Sequence, residues 1–141
     1  MGAPYLPTLT PQVTAALKLA DLKPGQMLLE LGCGDGKVVL AAAKQGIRVI
    51  GYELNPFLAA VAWLRTRRYR KLVTIKCQNF WQGYWPATDA IFVFLLPKYM
   101  TKLDKKVIQE CGEGVKVVSF AFTIPGKAKT KQLDGVFLYR Y

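Results

Sequence analysis

The chain has 141 residues, of which 52% are hydrophobic, and carries 20 lysines and arginines against nine acids, for a formal net charge of +11. That length suits one domain that buries roughly two-thirds of its unfolded surface without disulfide or metal staples. There is no histidine, which removes the commonest general base and metal ligand and disfavours hydrolase and zinc mechanisms.

Residues 1–9 read as an extended segment, because Pro4 and Pro7 disfavour helix just before them. Thr10-Pro11 then reads as a helix N-cap with proline in the first helical position. Val13, Ala16, Leu17 and Ala20 recur at i, i+3, i+4 and i+7 and give that helix an apolar face. Lys23-Pro24-Gly25 stops it and turns the chain into a first strand.

Residues 28–53 read LLELGCGDGKVVLAAAKQGIRVIGYE. A short apolar run leads to Glu30, glycines follow at 32, 34 and 36, an apolar helical pattern covers 38–43, and a second apolar run over 47–52 ends at Glu53. Strand, glycine loop, helix, strand and acid together make half of a nucleotide-binding βαβ unit. Glycines allow the sharp turn and let a ligand touch the backbone. Free N–H groups at the helix start are expected to attract a carboxylate or phosphate. Glu53 follows Gly32 by 53 − 32 = 21 residues, close to the ~20 expected of a ribose-binding acid. The dinucleotide pattern G-x-G-x-x-G requires glycine at position 37, which is Lys37. An acid at Glu30 would also repel a pyrophosphate, whereas it suits an ammonium.

Beyond Glu53, Asn55 is a good N-cap and Pro56 a good first helical residue. Phe57, Val61 and Leu64 form the expected apolar stripe of that helix. It ends in Arg65, Arg67, Arg68, Arg70 and Lys71, either a solvated helix end or a patch for phosphates or acidic protein. Residues 72–77 read as a third strand, and Trp81, Tyr84 and Trp85 as local packing over a short loop. The continuous apolar run over 89–96 suits a central parallel strand. Met100, Leu103, Val107 and Cys111 space as an amphipathic helix, 115–122 as a fifth strand, and 136–141 as a last one reached through a lysine-rich loop. That last strand follows a turn and is expected antiparallel. The alternation predicts an α/β fold with a mostly parallel sheet and helices on both faces, its ligand beyond the C-terminal strand ends.

The segment ELGCGDG, residues 30–36, resembles motif I of the class I S-adenosylmethionine (SAM) dependent methyltransferases, a Rossmann-like fold. Further matches are the Pro4-Tyr5-Leu6-Pro7-Thr8 segment, GYELNP, FVFLLP and VVSFAFTIPG. These resemble prokaryotic relatives of the mitochondrial protein-lysine methyltransferases acting on adenine nucleotide translocase and the ATP synthase c subunit. The resemblance implies one methyltransferase domain over 1–141, SAM as cofactor and a protein lysine as acceptor. It implies that Glu30 faces the methionine ammonium, that Gly32, Cys33, Gly34, Asp35 and Gly36 line methionine and ribose, that Glu53 holds the ribose hydroxyls, and that Leu54 also binds the cofactor. Asn79 and Phe80 would meet the adenine, with Asn79 where many relatives carry an acid, and Tyr5, Pro7 and Thr8 could close over the site. A nucleic-acid methyltransferase is the rival, although the Asn/Asp-Pro-Pro-aromatic motif is absent at Phe94-Leu95-Leu96-Pro97. A non-catalytic SAM-binding protein is a second.

Three cysteines, Cys33, Cys77 and Cys111, cannot all pair and fit no metal spacing. With no 18-residue apolar run and no signal peptide, the expected location is cytoplasmic, or membrane-associated if a membrane segment precedes these residues. The positive charge predicts nucleic acid, anionic membrane or acidic protein as a partner surface, or serves solubility alone.

Overall fold

The computed structural model describes residues 10–141. It contains helices α1 (Thr10–Ala20), α2 (Lys37–Lys44), α3 (Pro56–Thr66) and α4 (Met100–Glu110). Seven strands, β1 (Met27–Leu31), β2 (Arg48–Tyr52), β3 (Val73–Lys76), β4 (Ala90–Val93), β5 (Lys116–Phe120), β6 (Lys131–Leu133) and β7 (Val136–Arg140), form one sheet in the order β3-β2-β1-β4-β5-β7-β6. The first five are parallel, and β7 runs antiparallel to both β5 and β6. Central β4 is buried along its whole length, as a strand covered on both faces must be.

Alternate strand residues feed two cores. On one face Leu28, Phe92 and Val118 pack with residues of α1, α2 and α3. On the other, Leu29, Ile91 and Val117 pack with Met100, Leu103 and Val107 of α4. The β3–β4 connection contains no helix. Phe80 and Trp85 fill that space instead, with the Trp85 indole N–H donating to the Phe80 carbonyl at 2.8 Å. Glu110 of α4 accepts from the Trp85 backbone at 2.7 Å and from Lys106, and so ties this loop to the helix. The reading of these tryptophans as local packing holds for Trp85; Trp81 is half-buried against Phe80 at 4.8 Å, and Tyr84 is exposed.

Three features differ from the sequence pattern. First, α3 is turned round. It buries Ala59, Ala62 and Thr66, spaced i, i+3, i+7, and leaves Phe57 and Leu64 facing solvent. The cause is close packing on the glycine loop: a Cβ at Gly36 would lie 2.9 Å from both Cα and Cβ of Ala62, so only a small-residue face can approach. Second, β4 and β5 stop at Val93 and Phe120, leaving Phe94 and Phe122 outside the ladder. Third, β6 lies where a loop is expected, paired with β7 through a turn at Asp134-Gly135, both at positive φ. Asp-Gly is a strong hairpin signal.

Candidate active site

β1 sits between β2 and β4, so its C-terminal end is the point where the order of strands reverses, the usual ligand position in such sheets. Glu30 lies there, beside Gly51 of β2 and Phe92 of β4. It is 7% exposed, and its Oε2 is the one buried side-chain polar atom without a hydrogen-bond partner among the described residues. Burial pushes its carboxyl well above the usual range, and the nearby Asp35 and Glu53 carboxylates push it further. Such an orphaned acceptor costs roughly 1–3 kcal/mol until a donor arrives. The same surroundings, burial first and then Glu30, raise the Cys33 thiol and keep it an inert apolar group.

The glycine loop wraps this acid with most of its own N–H groups spent. Gly32 and Cys33 both donate to the Tyr52 carbonyl at 2.8 Å. Gly34 donates to Glu53 Oε1 at 2.8 Å, Gly36 to the Cys33 carbonyl at 3.0 Å, and Lys37 to Asp35 Oδ1 at 3.2 Å. The expectation of free N–H groups cradling an anion at the start of α2 is therefore corrected for these five. The three carboxylates gathered here, Glu30, Asp35 and Glu53, make the charge of the site negative, which suits a cation.

Glu53 acts as a clamp between the two halves of the unit. Its Oε1 holds Gly34 and its Oε2 accepts from Asn55 N at 2.9 Å. Each carboxylate oxygen keeps lone-pair capacity for an incoming hydroxyl. Asn55 in turn caps α3, accepting from Phe57 and Leu58. Asp35 is half-buried, with its Oδ2 3.5 Å from the Arg65 guanidinium. Gly51, which the sequence reading passed over, matters here as well. A Cβ on it would meet Cys33 Sγ at 2.9 Å, so its bareness lets the loop settle on β2.

The other expected residues are less alike. Leu54 is 46% exposed just past the clamp. The side-chain oxygen of Asn79 accepts from Trp81 N at 2.9 Å, which leaves one lone pair for any ligand. Phe80 is 4% exposed and belongs to the core under α4, with its carbonyl taken by the Trp85 indole. Tyr5, Pro7 and Thr8 lie outside the described residues.

At the ends of β4 and β5 the geometry separates two aromatic pairs. Phe92 and Phe120 are buried, edge to face at 6.0 Å. Phe94 and Phe122 are half-buried, 6.1 Å apart, beyond the last ladder residues. Ala121 sets that position. Its φ is +69°, and Phe122 N donates back across it to the Phe120 carbonyl at 2.9 Å. Ser119 Oγ donates to the Phe122 carbonyl at 2.6 Å and holds the turn. Left-handed geometry in a non-glycine residue costs about 1–2 kcal/mol, and such strain concentrates at functional sites. No sequence signal marks it.

Residues 30–131 match the ANTKMT methyltransferase domain, a span that begins at Glu30 and covers the loop, the clamp and both strand ends. The chain belongs to this methyltransferase family. It is 33% identical over 126 residues to the ATP synthase c-subunit lysine N-methyltransferase of Xenopus laevis, covering 86% of this chain and 54% of that protein. The chain thus spans about half the length of that curated relative. It is also 30% identical over 148 residues to a protein-lysine N-methyltransferase of Saccharolobus islandicus, covering 96% of this chain and 92% of that protein. Among solved structures, an RNA methyltransferase from Salinibacter ruber with bound S-adenosyl-L-homocysteine superposes with a TM-score of 0.87 at 29% identity, over 96% of this chain and 92% of that one. The family's cofactor is S-adenosylmethionine, and the expected α/β fold with its antiparallel C-terminal strand is the one observed.

Proposed function

We propose that this chain transfers the methyl group of S-adenosylmethionine to the side-chain amine of a protein lysine. The observation that carries the cofactor half is the unpartnered Oε2 of buried Glu30, for which an α-ammonium is the matching donor. Glu53 would take the ribose hydroxyls on the lone pairs left beside Gly34 and Asn55. Asp35 would add negative charge at the loop, and Gly32, Cys33, Gly34 and Gly36 would form its floor. Leu54, Asn79 and the Phe80 backbone would border the adenine. The bound cofactor supplies a methyl on a sulfonium, so that the amine lone pair forms the N–C bond while the C–S pair leaves on sulfur.

The protein's share is alignment and desolvation. Holding two reactants in line is worth roughly 7–11 kcal/mol in well-oriented systems. A lysine near pKa 10.4 must also be presented neutral at pH 7, which costs about 3.4 × 1.36, roughly 4.6 kcal/mol. The half-buried Phe94–Phe122 pair is the candidate wall for that amine, because an apolar surround disfavours its charged form. The family and the protein-lysine methyltransferases among its similar sequences support this acceptor class.

A second reading, RNA as acceptor, is favoured by the Salinibacter structure and by the net charge of +11. Against it, Phe94-Leu95-Leu96-Pro97 offers no side-chain carboxamide or carboxylate to hold a planar base amine. The test is incubation of the purified chain with radiolabelled SAM and host-cell extract, followed by protease or ribonuclease. Label lost to protease supports the lysine reading, and label lost to ribonuclease alone overturns it. No label, with S-adenosylhomocysteine still bound, would reduce the function to cofactor binding.

A further inference from the structure

The inverted packing of α3 leaves its large apolar residues exposed, with nothing among the described residues to bury them. Phe57 is 75% exposed, Trp63 56% and Leu64 55%, with exposed Ala60 between them on the same side. The buried side, Ala59, Ala62 and Thr66, lies opposite Phe57 and Leu64, with Trp63 on the flank between. A helix whose bulky side chains face outward has the anatomy of a docking element, not of a core helix.

The charge around it is one-sided. From 54 to 88 the sequence contains no aspartate or glutamate, while Arg65, Arg67, Arg68, Arg70, Lys71 and Lys76 all fall within it. Arg67 and Arg68 continue the apolar strip, at i+3 and i+4 from Leu64, and both are exposed. Arg65 is engaged with Asp35. Exposed residues from 57 to 68 are therefore apolar, aromatic or cationic throughout, and the one neutral hydrogen-bonding group among them is the Trp63 indole N–H, of the kind that sits at a membrane–water boundary. RNA offers no apolar layer in which Phe57 and Leu64 could be buried, and a protein partner would need both an apolar groove and a matching acidic rim. A fluid apolar layer beneath a negative surface suits both the apolar and the cationic residues.

We propose that the outer face of α3 docks this domain on an anionic lipid bilayer, with Phe57, Trp63 and Leu64 entering the interface and Arg67 and Arg68 at headgroup level. Glu53 and the α3 cap at Asn55 adjoin this face, so docking sets the cofactor end of the sheet at the membrane edge. The site does not depend on which acceptor is methylated.

The test is co-sedimentation of the full chain with vesicles of phosphatidylcholine, with and without phosphatidylglycerol. Wild type should pellet with the anionic vesicles and not with the neutral ones. Arg67→Gln/Arg68→Gln should weaken the partition about 25-fold, taking about 5-fold for each basic residue at an anionic surface. Phe57→Ser/Leu64→Ser should abolish it. Both double variants should keep wild-type binding of S-adenosylhomocysteine, which shows that they are folded. Failure of wild type to pellet, or pelleting that neither variant changes, overturns the proposal. So does binding of a labelled single-stranded RNA that the Phe57/Leu64 variant loses, if vesicles are not bound.

Discussion

Glu30→Gln keeps the size of the side chain and removes its charge, which separates two consequences of a buried, unpartnered carboxylate. The first concerns the cofactor-free protein. The folded carboxyl is raised well above 4.5 by burial and by its two acidic neighbours, so the folded state holds a proton that the unfolded chain releases. Stability from this group is complete below about pH 4.5 and is lost as pH rises toward the raised folded value, at about 1.36 kcal/mol per unit inside that window. The amide has no such loss, so across that window the variant should melt at a temperature equal to or above that of wild type.

The second consequence has the opposite sign. A cofactor ammonium needs the carboxylate ionised. Removing a charge-assisted hydrogen bond of roughly 1.5–3 kcal/mol should weaken S-adenosylhomocysteine about 10- to 150-fold. Wild-type affinity should improve as pH rises through the Glu30 titration, while that of the variant stays flat. Calorimetry with 5′-methylthioadenosine, which lacks the amino-acid end, supplies the control, and its affinity should be unchanged. Equal losses for both ligands would make Glu30 a structural residue, and no loss for either would refute the assignment.

Glu53→Ala should weaken both ligands, and it should also lower stability by about 1–3 kcal/mol because Gly34 N and Asn55 N lose their acceptor; calorimetry and urea denaturation read the two effects separately. Gly36→Ala places a Cβ 2.9 Å from Ala62 at a φ of +85°, and a lower urea midpoint, equivalent to at least about 1–3 kcal/mol, is expected. Ala121→Val puts a β-branched residue at a φ of +69°, where even alanine is strained. A drop in melting temperature worth more than about 1 kcal/mol is expected, with cofactor affinity retained.

The fold was legible wherever one residue type dominated a segment. The apolar run before Glu30 and the one over 89–96 marked β1 and β4, and Asn55-Pro56 marked the start of α3. Glu30, the glycine loop and Glu53 stand together at the switch point because strand, turn and acid spacing are local properties of the chain. What the sequence concealed was non-local. The outward face of α3 follows from Gly36 meeting Ala62, a contact between residues 26 apart in sequence (62 − 36). The loop N–H groups read as free because nothing in the sequence shows that Tyr52 and Glu53 will claim them. The choice of Phe94 and Phe122 over Phe92 and Phe120 depends on the positive φ of Ala121. Asp134-Gly135 was a readable signal, but the strand before it is three residues long and two of them are exposed, so hydrophobic pattern gave it no support.

The distribution of acids makes a last prediction. Three of the nine, Glu30, Asp35 and Glu53, face one another across the ends of β1 and β2, whereas residues 90–103 and 114–133, which include the ends of β4 and β5, contain none. This division suits a reaction that must hold one cation and discharge another. A carboxylate beside the acceptor amine would favour its ammonium form and raise its pKa by about 1–3 units, adding to a deprotonation cost already near 4.6 kcal/mol. Thr123, exposed and next to Phe122, is the place to install one. Thr123→Asp should leave S-adenosylhomocysteine binding unchanged. The acidic limb of the methylation rate should move to higher pH by up to about 3 units, in proportion to how closely the new carboxylate approaches the amine. Methylation of a lysine peptide or protein substrate followed from pH 6 to 10 would measure it. A profile identical to wild type would place the acceptor amine away from the β5 end and sink the assignment of Phe94 and Phe122 as its wall.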